Sequence, residues 1–204
     1  YLNIKSDIFV PNNTPSQKIN RIKYFSNEDL CNIHIIGNTF NECLNHAFEF
    51  TLNNNNTFIH PYNDIDVITG QGTIASEIYD YITPNVIICG VGGGGLISGI
   101  SLFIKNHNMD INDECILYGA EPETCPSMRI SIEEDKIINV PPINNFVDGA
   151  TVSQVGDITY NICKDGVDGL YDVSIGKICE TMIELYQEDG IITEPAGALS
   201  VAAL

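Results

Sequence analysis

Four consecutive glycines, Gly92 to Gly95, stand between the β-branched run "NVIICGV" and the helix-favouring run "LISGISLFIKNH". A strand that ends in glycines and passes straight into a helix brings several backbone N–H groups and the positive end of the helix dipole to one place, with no side chain to block an approaching ligand. Such a turn either receives an anion, normally a phosphate, or is a tight structural corner, for which one or two glycines suffice.

The flanking residues separate the phosphate readings. A Walker-type loop requires G-x-x-x-x-G-K-[ST], but Leu96 and Ile97 follow Gly95 where the lysine and hydroxyl are needed. The dinucleotide fingerprint G-x-G-x-x-G is formally present as Gly90, Gly92 and Gly95, with Glu121 closing the next strand where a ribose-binding acid could stand. That reading leaves Gly93 and Gly94 unused, and strand–helix units already precede the run. A compact monophosphate, the handle of a small cofactor, uses the whole run and needs no lysine beside it.

Composition narrows the partners. The chain of 204 residues carries a formal net charge of −18 with only nine Lys and Arg, which excludes sequence-independent binding to a nucleic-acid backbone. The acidity reads as a solvated surface. Seven cysteines, Cys31, Cys43, Cys89, Cys115, Cys125, Cys163 and Cys179, occur without a C-x-x-C pair, so neither a zinc site nor a disulfide framework is expected and a reducing, cytoplasmic setting fits. No run is apolar over the length of a membrane span, and none reads as a secretory signal. The first residues lack an initiator Met and the last, "EPAGALSVAAL", run out inside a helix-favouring stretch, so the expectation is a piece of a longer protein.

Strand and helix patterns alternate. "DIFV" (7–10) and "NIHII" (32–36) read as strands. Between them Thr14 caps a helix whose first position is Pro15; after them Thr39 and Glu42 make a capping box. "NNNN" (53–56) ends that second helix. "GQGTIASEIYDYI" predicts a helix that opens at Gln71, Gly72 and Thr73 and carries Ile74, Ile78 and Ile82 on one face. "CILYGAE" (115–121) predicts another strand, and "SIGKICETMIELYQEDG" a helix with Ile175, Ile178, Cys179, Met182, Ile183 and Leu185 apolar. The order implies parallel strands joined by crossover helices, an α/β layered fold. A composition break near residues 58–66 divides the chain into a small lobe, 1–60, and a larger one, 61–204.

Four ordered blocks, "SDIFVPNNTPSQKINRIKYF", "FIHPYNDIDVITGQGTIASEI", "GVGGGGLISGI" and "DGIITEPAGALSVAAL", together resemble the fold-type II, pyridoxal-phosphate-dependent serine/threonine dehydratase family. "FVDGATVSQVGDITYNI" and "EPAGAL" are most similar to its biosynthetic threonine deaminases, with serine racemases and serine dehydratases near. The resemblance implies a two-lobed, three-layer parallel-sheet architecture of the tryptophan-synthase-beta-like type, truncated here at both ends. It also implies pyridoxal phosphate as cofactor, a small hydroxyamino acid as substrate and a homo-oligomer as the working state.

By the same resemblance the phosphate cradle is Gly92, Gly93, Gly94, Gly95 and Leu96; Gly149, beside Asp148, and Glu194 lie near the cofactor ring; and Glu121, the Cys125 carbonyl and Ser127 form a cation site of the kind that suits K⁺, Mg²⁺ or Ca²⁺. The family's Schiff-base lysine belongs to an S-x-K-x-R-G motif that this chain lacks, so it is expected upstream of residue 1. "SQKINR", with Lys18, imitates the motif inside a block that matches a later family segment. The partner of the ring nitrogen is expected beyond Leu204. His60, His34, His46 and His107 read as structural.

Overall fold

The computed structural model describes residues 4–26, 29–111 and 115–204. It divides into two compact units, Tyr1–Phe58 and Ile59–Leu204.

In the first unit, strands β1 (Ser6–Val10) and β2 (Cys31–Ile35) pair in parallel, with helices α1 (Ser16–Phe25) and α2 (Phe40–Asn54) following them in turn. Register sets Phe9 opposite His34, and their rings stack with centroids 4.4 Å apart. His34 Nε2 lies 2.8 Å from Asp7 Oδ1, and this bond holds the Asp7 carboxyl below its usual range. Pro15 rather than Thr14 occupies the cap position of α1, with no side-chain capping bond. Thr39 caps α2 as expected, accepting from Glu42 N, but the Glu42 carboxylate reaches back one residue further, to Asn38 N. Asn55, in the left-handed region at φ 53°, ends α2 within the asparagine run.

The second unit holds α3 (Ile65–Tyr79), β3 (Val86–Gly90), α4 (Gly95–Ile111), β4 (Ile116–Pro122), α5 (Ser127–Glu133), α6 (Asp157–Gly166), β5 (Gly169–Val173), α7 (Ile175–Asp189) and α8 (Pro195–Ala202). Its three strands pair in parallel in the order β3-β4-β5. One face of the sheet packs Ile87, Cys89, Val91 and Leu117 against Ile97 and Ile100 of α4, Met128 of α5 and Cys163 of α6. The other packs Ala120 and Val173 against Ile178 of α7 and Ala198 and Leu199 of α8. Helices on both faces make the unit three-layered, and each fully buried aliphatic side chain contributes about 1.5–3 kcal/mol.

Two expectations shift. Helix α3 begins at Ile65, because the Asp64 carboxylate accepts from Asp66 N and Val67 N, so Gln71, Gly72 and Thr73 lie in mid-helix rather than at its start. Its buried face is Ile68, Gly72 and Ala75, while Ile74 and Ile82 are exposed. On α7, Ile178 is buried but Ile183 is exposed. Gly190 ends α7 at φ 69°, with Ile191 N donating to Leu185 O in the manner of a Schellman turn. A bidentate ion pair from Arg129 to Asp172, both bonds 2.8 Å, ties α5 to β5.

Candidate active site

The strand ladder carries on one residue past β3, where Val91 N donates to Ala120 O at 2.8 Å. The chain then turns through Gly92, Gly93 and Gly94 into α4. Gly94 sits at φ +92°, a conformation that residues with a Cβ rarely adopt. The first helical bond runs from Ser98 N to Gly94 O at 3.0 Å. Consequently the N–H groups of Gly92 through Ile97 have no acceptor among the described residues, although Gly93, Gly94, Gly95 and Ile97 are buried. Buried donors left open in this way are costly, and an anion is the partner that a helix N-terminus favours.

The carbon side of the run is filled by protein. A Cβ on Gly93 would run into the Tyr62 ring, one on Gly95 would stand 3.1 Å from Tyr62 Cβ, and one on Gly94 would stand 2.6 Å from Met128 Cε. Thr159 Oγ1 donates to Gly93 O at 2.7 Å and fixes the turn from α6. At the start of the run a Cβ on Gly92 would meet Ala150 Cα at 3.1 Å and Gly149 O at 3.4 Å. Gly149 in turn faces Glu194: its Cβ would lie 3.1 Å from Glu194 Oε1. The glycine run, Leu96 in the first turn of α4, Gly149 and Glu194 at the head of α8 therefore form one neighbourhood. Asp148 is exposed beside it.

Glu121, at the end of β4, is 1% exposed, and its two oxygens accept from Met128 N and Arg129 N, both at 2.8 Å. It caps α5 from outside, and burial pushes its carboxyl up to about 7 against the pull of those two N–H groups. An acid so engaged is not offered to a ribose, which removes the dinucleotide reading of Gly90, Gly92 and Gly95. The Cys125 thiol lies within donating reach of both Val152 O and Val140 O and is raised to about 11 by burial, and Ser127 opens α5 with its carbonyl accepting from Ser131 Oγ. Among the described residues no three His, Cys, Asp or Glu side chains group around a metal position. Lys18 lies in α1, in the first unit.

Sequence reasoning passed over Tyr62, Asn63 and Thr159. Tyr62 and Asn63 lie inside the block "FIHPYNDID" and Thr159 inside "GDITYNI", but nothing local marks a ring or hydroxyl that touches glycines more than 30 residues away.

The family model for pyridoxal-phosphate dependent enzymes matches residues 1–204. The chain belongs to this family. It is 40% identical, over its whole length, to the biosynthetic L-threonine dehydratase IlvA of Halalkalibacterium halodurans, of which the match covers 48%. The processed form of threonine deaminase isoform 2 from Solanum lycopersicum superposes with a TM-score of 0.87 at 31% identity, over 98% of this chain and 57% of that one. Maize serine racemase superposes with a TM-score of 0.88 at 28% identity, over 98% and 58%. The family member thus has the mixed α/β, parallel-sheet fold of these enzymes and spans about half the length of the curated relatives it matches. No helix among the described residues is long and apolar enough to cross a membrane.

Proposed function

We propose that the whole protein to which this chain belongs is a pyridoxal-phosphate-dependent lyase that dehydrates and deaminates L-threonine to 2-oxobutanoate and ammonia, as in isoleucine biosynthesis. The observation that carries the reading is the set of unpartnered N–H groups from Gly92 to Ile97, in a chain similar throughout to a biosynthetic threonine dehydratase. A phosphate monoester fits those donors: it brings up to two negative charges to the head of a 17-residue helix, and the run's carbon side is already closed by Tyr62, Met128 and Ala150.

When bound, the cofactor would supply an electron sink for the substrate's Cα as the α-proton leaves and the β-hydroxyl departs. The residues of this chain would anchor and orient. Gly92, Gly93, Gly94, Gly95 and Leu96 would hold the phosphate through backbone N–H groups, while Gly149, packed against Gly92, and Glu194, whose carboxylate faces Gly149, would flank the cofactor ring. A cation at Glu121, the Cys125 carbonyl and Ser127 belongs to the same reading and would have to share the Glu121 oxygens with two N–H donors. The nucleophilic lysine is assigned to a part of the protein outside these residues. The seven cysteines, all free, support a cytoplasmic setting, and a homo-oligomer accompanies the reading.

The test is release of 2-oxobutanoate from L-threonine by the full-length protein, with and without added pyridoxal phosphate. Cofactor-dependent release is expected; no product from the folded protein overturns the assignment. The likeness to maize serine racemase favours one second reading. D-serine formed from L-serine, without 2-oxobutanoate from threonine, would select it; pyruvate from L-serine without either would mark a serine dehydratase, and none of the three products would leave an inactive homologue.

A further inference from the structure

The short segment ahead of α3 is bound to the glycine run more closely than a connecting loop requires. His60 Nδ1 accepts two backbone N–H groups, from Tyr62 at 3.3 Å and Asn63 at 2.9 Å. Both bonds need that nitrogen unprotonated, so the ring proton sits on Nε2. The resulting turn aims Tyr62 at the run, its ring against Gly93 and its Cβ near Gly95, while the Tyr62 hydroxyl donates to Gln154 O at 3.1 Å. Asn63 fastens the other end. Its amide oxygen accepts from Ile158 N at 2.9 Å and its NH₂ donates to Asp157 Oδ1 at 2.6 Å, both at the head of α6, the helix whose Thr159 grips Gly93 O.

We propose that His60 is a positioning residue for the cofactor phosphate: its neutral ring closes the His60–Asn63 turn, the turn holds Tyr62 against Gly93 and Gly95, and the N–H groups of the run keep the spacing that a phosphate requires. The inference rests on the phosphate reading of the run given above. In this assignment His60 is given no contact with phosphate or substrate and acts through Tyr62.

The charged groups facing His60 are Asp64 at the head of α3 and Asp157 at the head of α6. Both favour protonation, but burial of the ring outweighs them and brings His60 below its ordinary value of 6.5. Tyr62, whose ring meets the His60 ring edge-on, is pushed up to about 12 by burial and stays neutral. A histidine lowered in the folded state contributes its full effect above pH 6.5 and loses it as the pH falls through the folded value. The strap therefore loosens on the acid side.

The test compares pyridoxal phosphate with pyridoxal, the same ring without the phosphate, titrated into the full-length protein and followed by absorbance. The ratio of the two affinities reports the phosphate contribution alone. In His60→Ala the ratio is expected to fall roughly tenfold or more, equivalent to about 1.4 kcal/mol. In His60→Asn, whose side-chain oxygen accepts the same two N–H groups in an Asx turn, it recovers to within about threefold. Wild type also loses pyridoxal phosphate more steeply than His60→Asn below pH 6.5; the phosphate's own protonation near pH 6 is common to both proteins and cancels. An unchanged ratio in His60→Ala, or identical acid limbs for wild type and His60→Asn, overturns the proposal while leaving the cofactor reading intact. Equal affinity of wild type for the two probes removes the phosphate reading and the strap with it. Should His60→Ala fail to fold, the acid limb of His60→Asn decides alone.

Discussion

Gly72 of α3 and Gly99 of α4 meet so closely that a Cβ on Gly72 would stand 2.9 Å from the Gly99 carbonyl oxygen. Backbone rather than side chain occupies this crossing, and it fixes the angle at which α4 delivers its N-terminus to the glycine run. Gly72→Ala should therefore destabilise the protein by about 1–3 kcal/mol through overpacking. Gly70→Ala, in the same helix with nothing within 4 Å of the added carbon, should stabilise it by roughly 0.5–1 kcal/mol. Urea unfolding of the pair reads both signs in one experiment.

The glycine run itself should tolerate no methyl. Gly93→Ala drives a carbon into the Tyr62 ring, and Gly94→Ala adds one to a residue at φ +92° with Met128 Cε 2.6 Å away. Each is expected to weaken pyridoxal phosphate binding by roughly tenfold or more, about 1.4 kcal/mol, with pyridoxal binding far less affected. Absorbance titration with the two probes checks the difference.

Glu121 should be hard to replace even by its amide. In Glu121→Gln one of the two oxygens that accept from Met128 N and Arg129 N becomes a donor facing a donor, and the loss is about 1–3 kcal/mol. The pH dependence has a definite sign. The folded carboxyl titrates near 7 and the unfolded one near 4.5, so between those values the folded state holds the extra proton and stability falls as pH rises. Thermal melts from pH 4.5 to 7 should decline in wild type and be flatter in the amide variant.

Asn63 stands in for a missing cap. Gly156, the cap residue of α6, has no side chain to bond the first turn, and Asn63 supplies the acceptor for Ile158 N instead. Asn63→Ala should cost about 1 kcal/mol, as loss of a helix cap does, and Asn63→Asp should retain much of that bond while setting a second carboxylate against Asp157. The expected order of melting temperatures is wild type, then Asp, then Ala at low pH, where Asp157 is neutralised; inversion of the last two would contradict the capping role.

What could be read in advance follows from where the information lies in the chain. Strands β1 to β4 announce themselves through short β-branched runs, and α7 through Ser174 and Gly190 at its ends, because those signals are local. Helices α5 and α6 carry no such mark at their cap positions: their first turns are satisfied by Glu121, which stands at the end of the preceding strand, and by Asn63, which is close to α6 in space and distant from it in sequence. The buried face of α3 misleads for a related reason. Periodicity points to Ile74, Ile78 and Ile82, but close approach to α4 rewards small residues such as Gly72 and Ala75, so Ile74 turns outward and Ile78 is only half-buried. In the candidate site the glycines and the neighbouring Gly149 and Glu194 are visible as motifs. Their supports, Tyr62 and Thr159, are not, since each is defined only by what it touches.

Those supports have a bearing on how a ligand is received. Tyr62, Met128, Thr159 and Ala150 grip the glycine run from its carbon side and at one carbonyl, and none of these contacts involves the N–H groups of residues 92–97. Backbone that glycine leaves intrinsically permissive is thereby held in one conformation before any anion arrives. Little conformational entropy remains to be lost on binding, so more of the electrostatic attraction is expressed as affinity. Four glycines in a row would ordinarily describe a hinge; held in this way they behave as a mould.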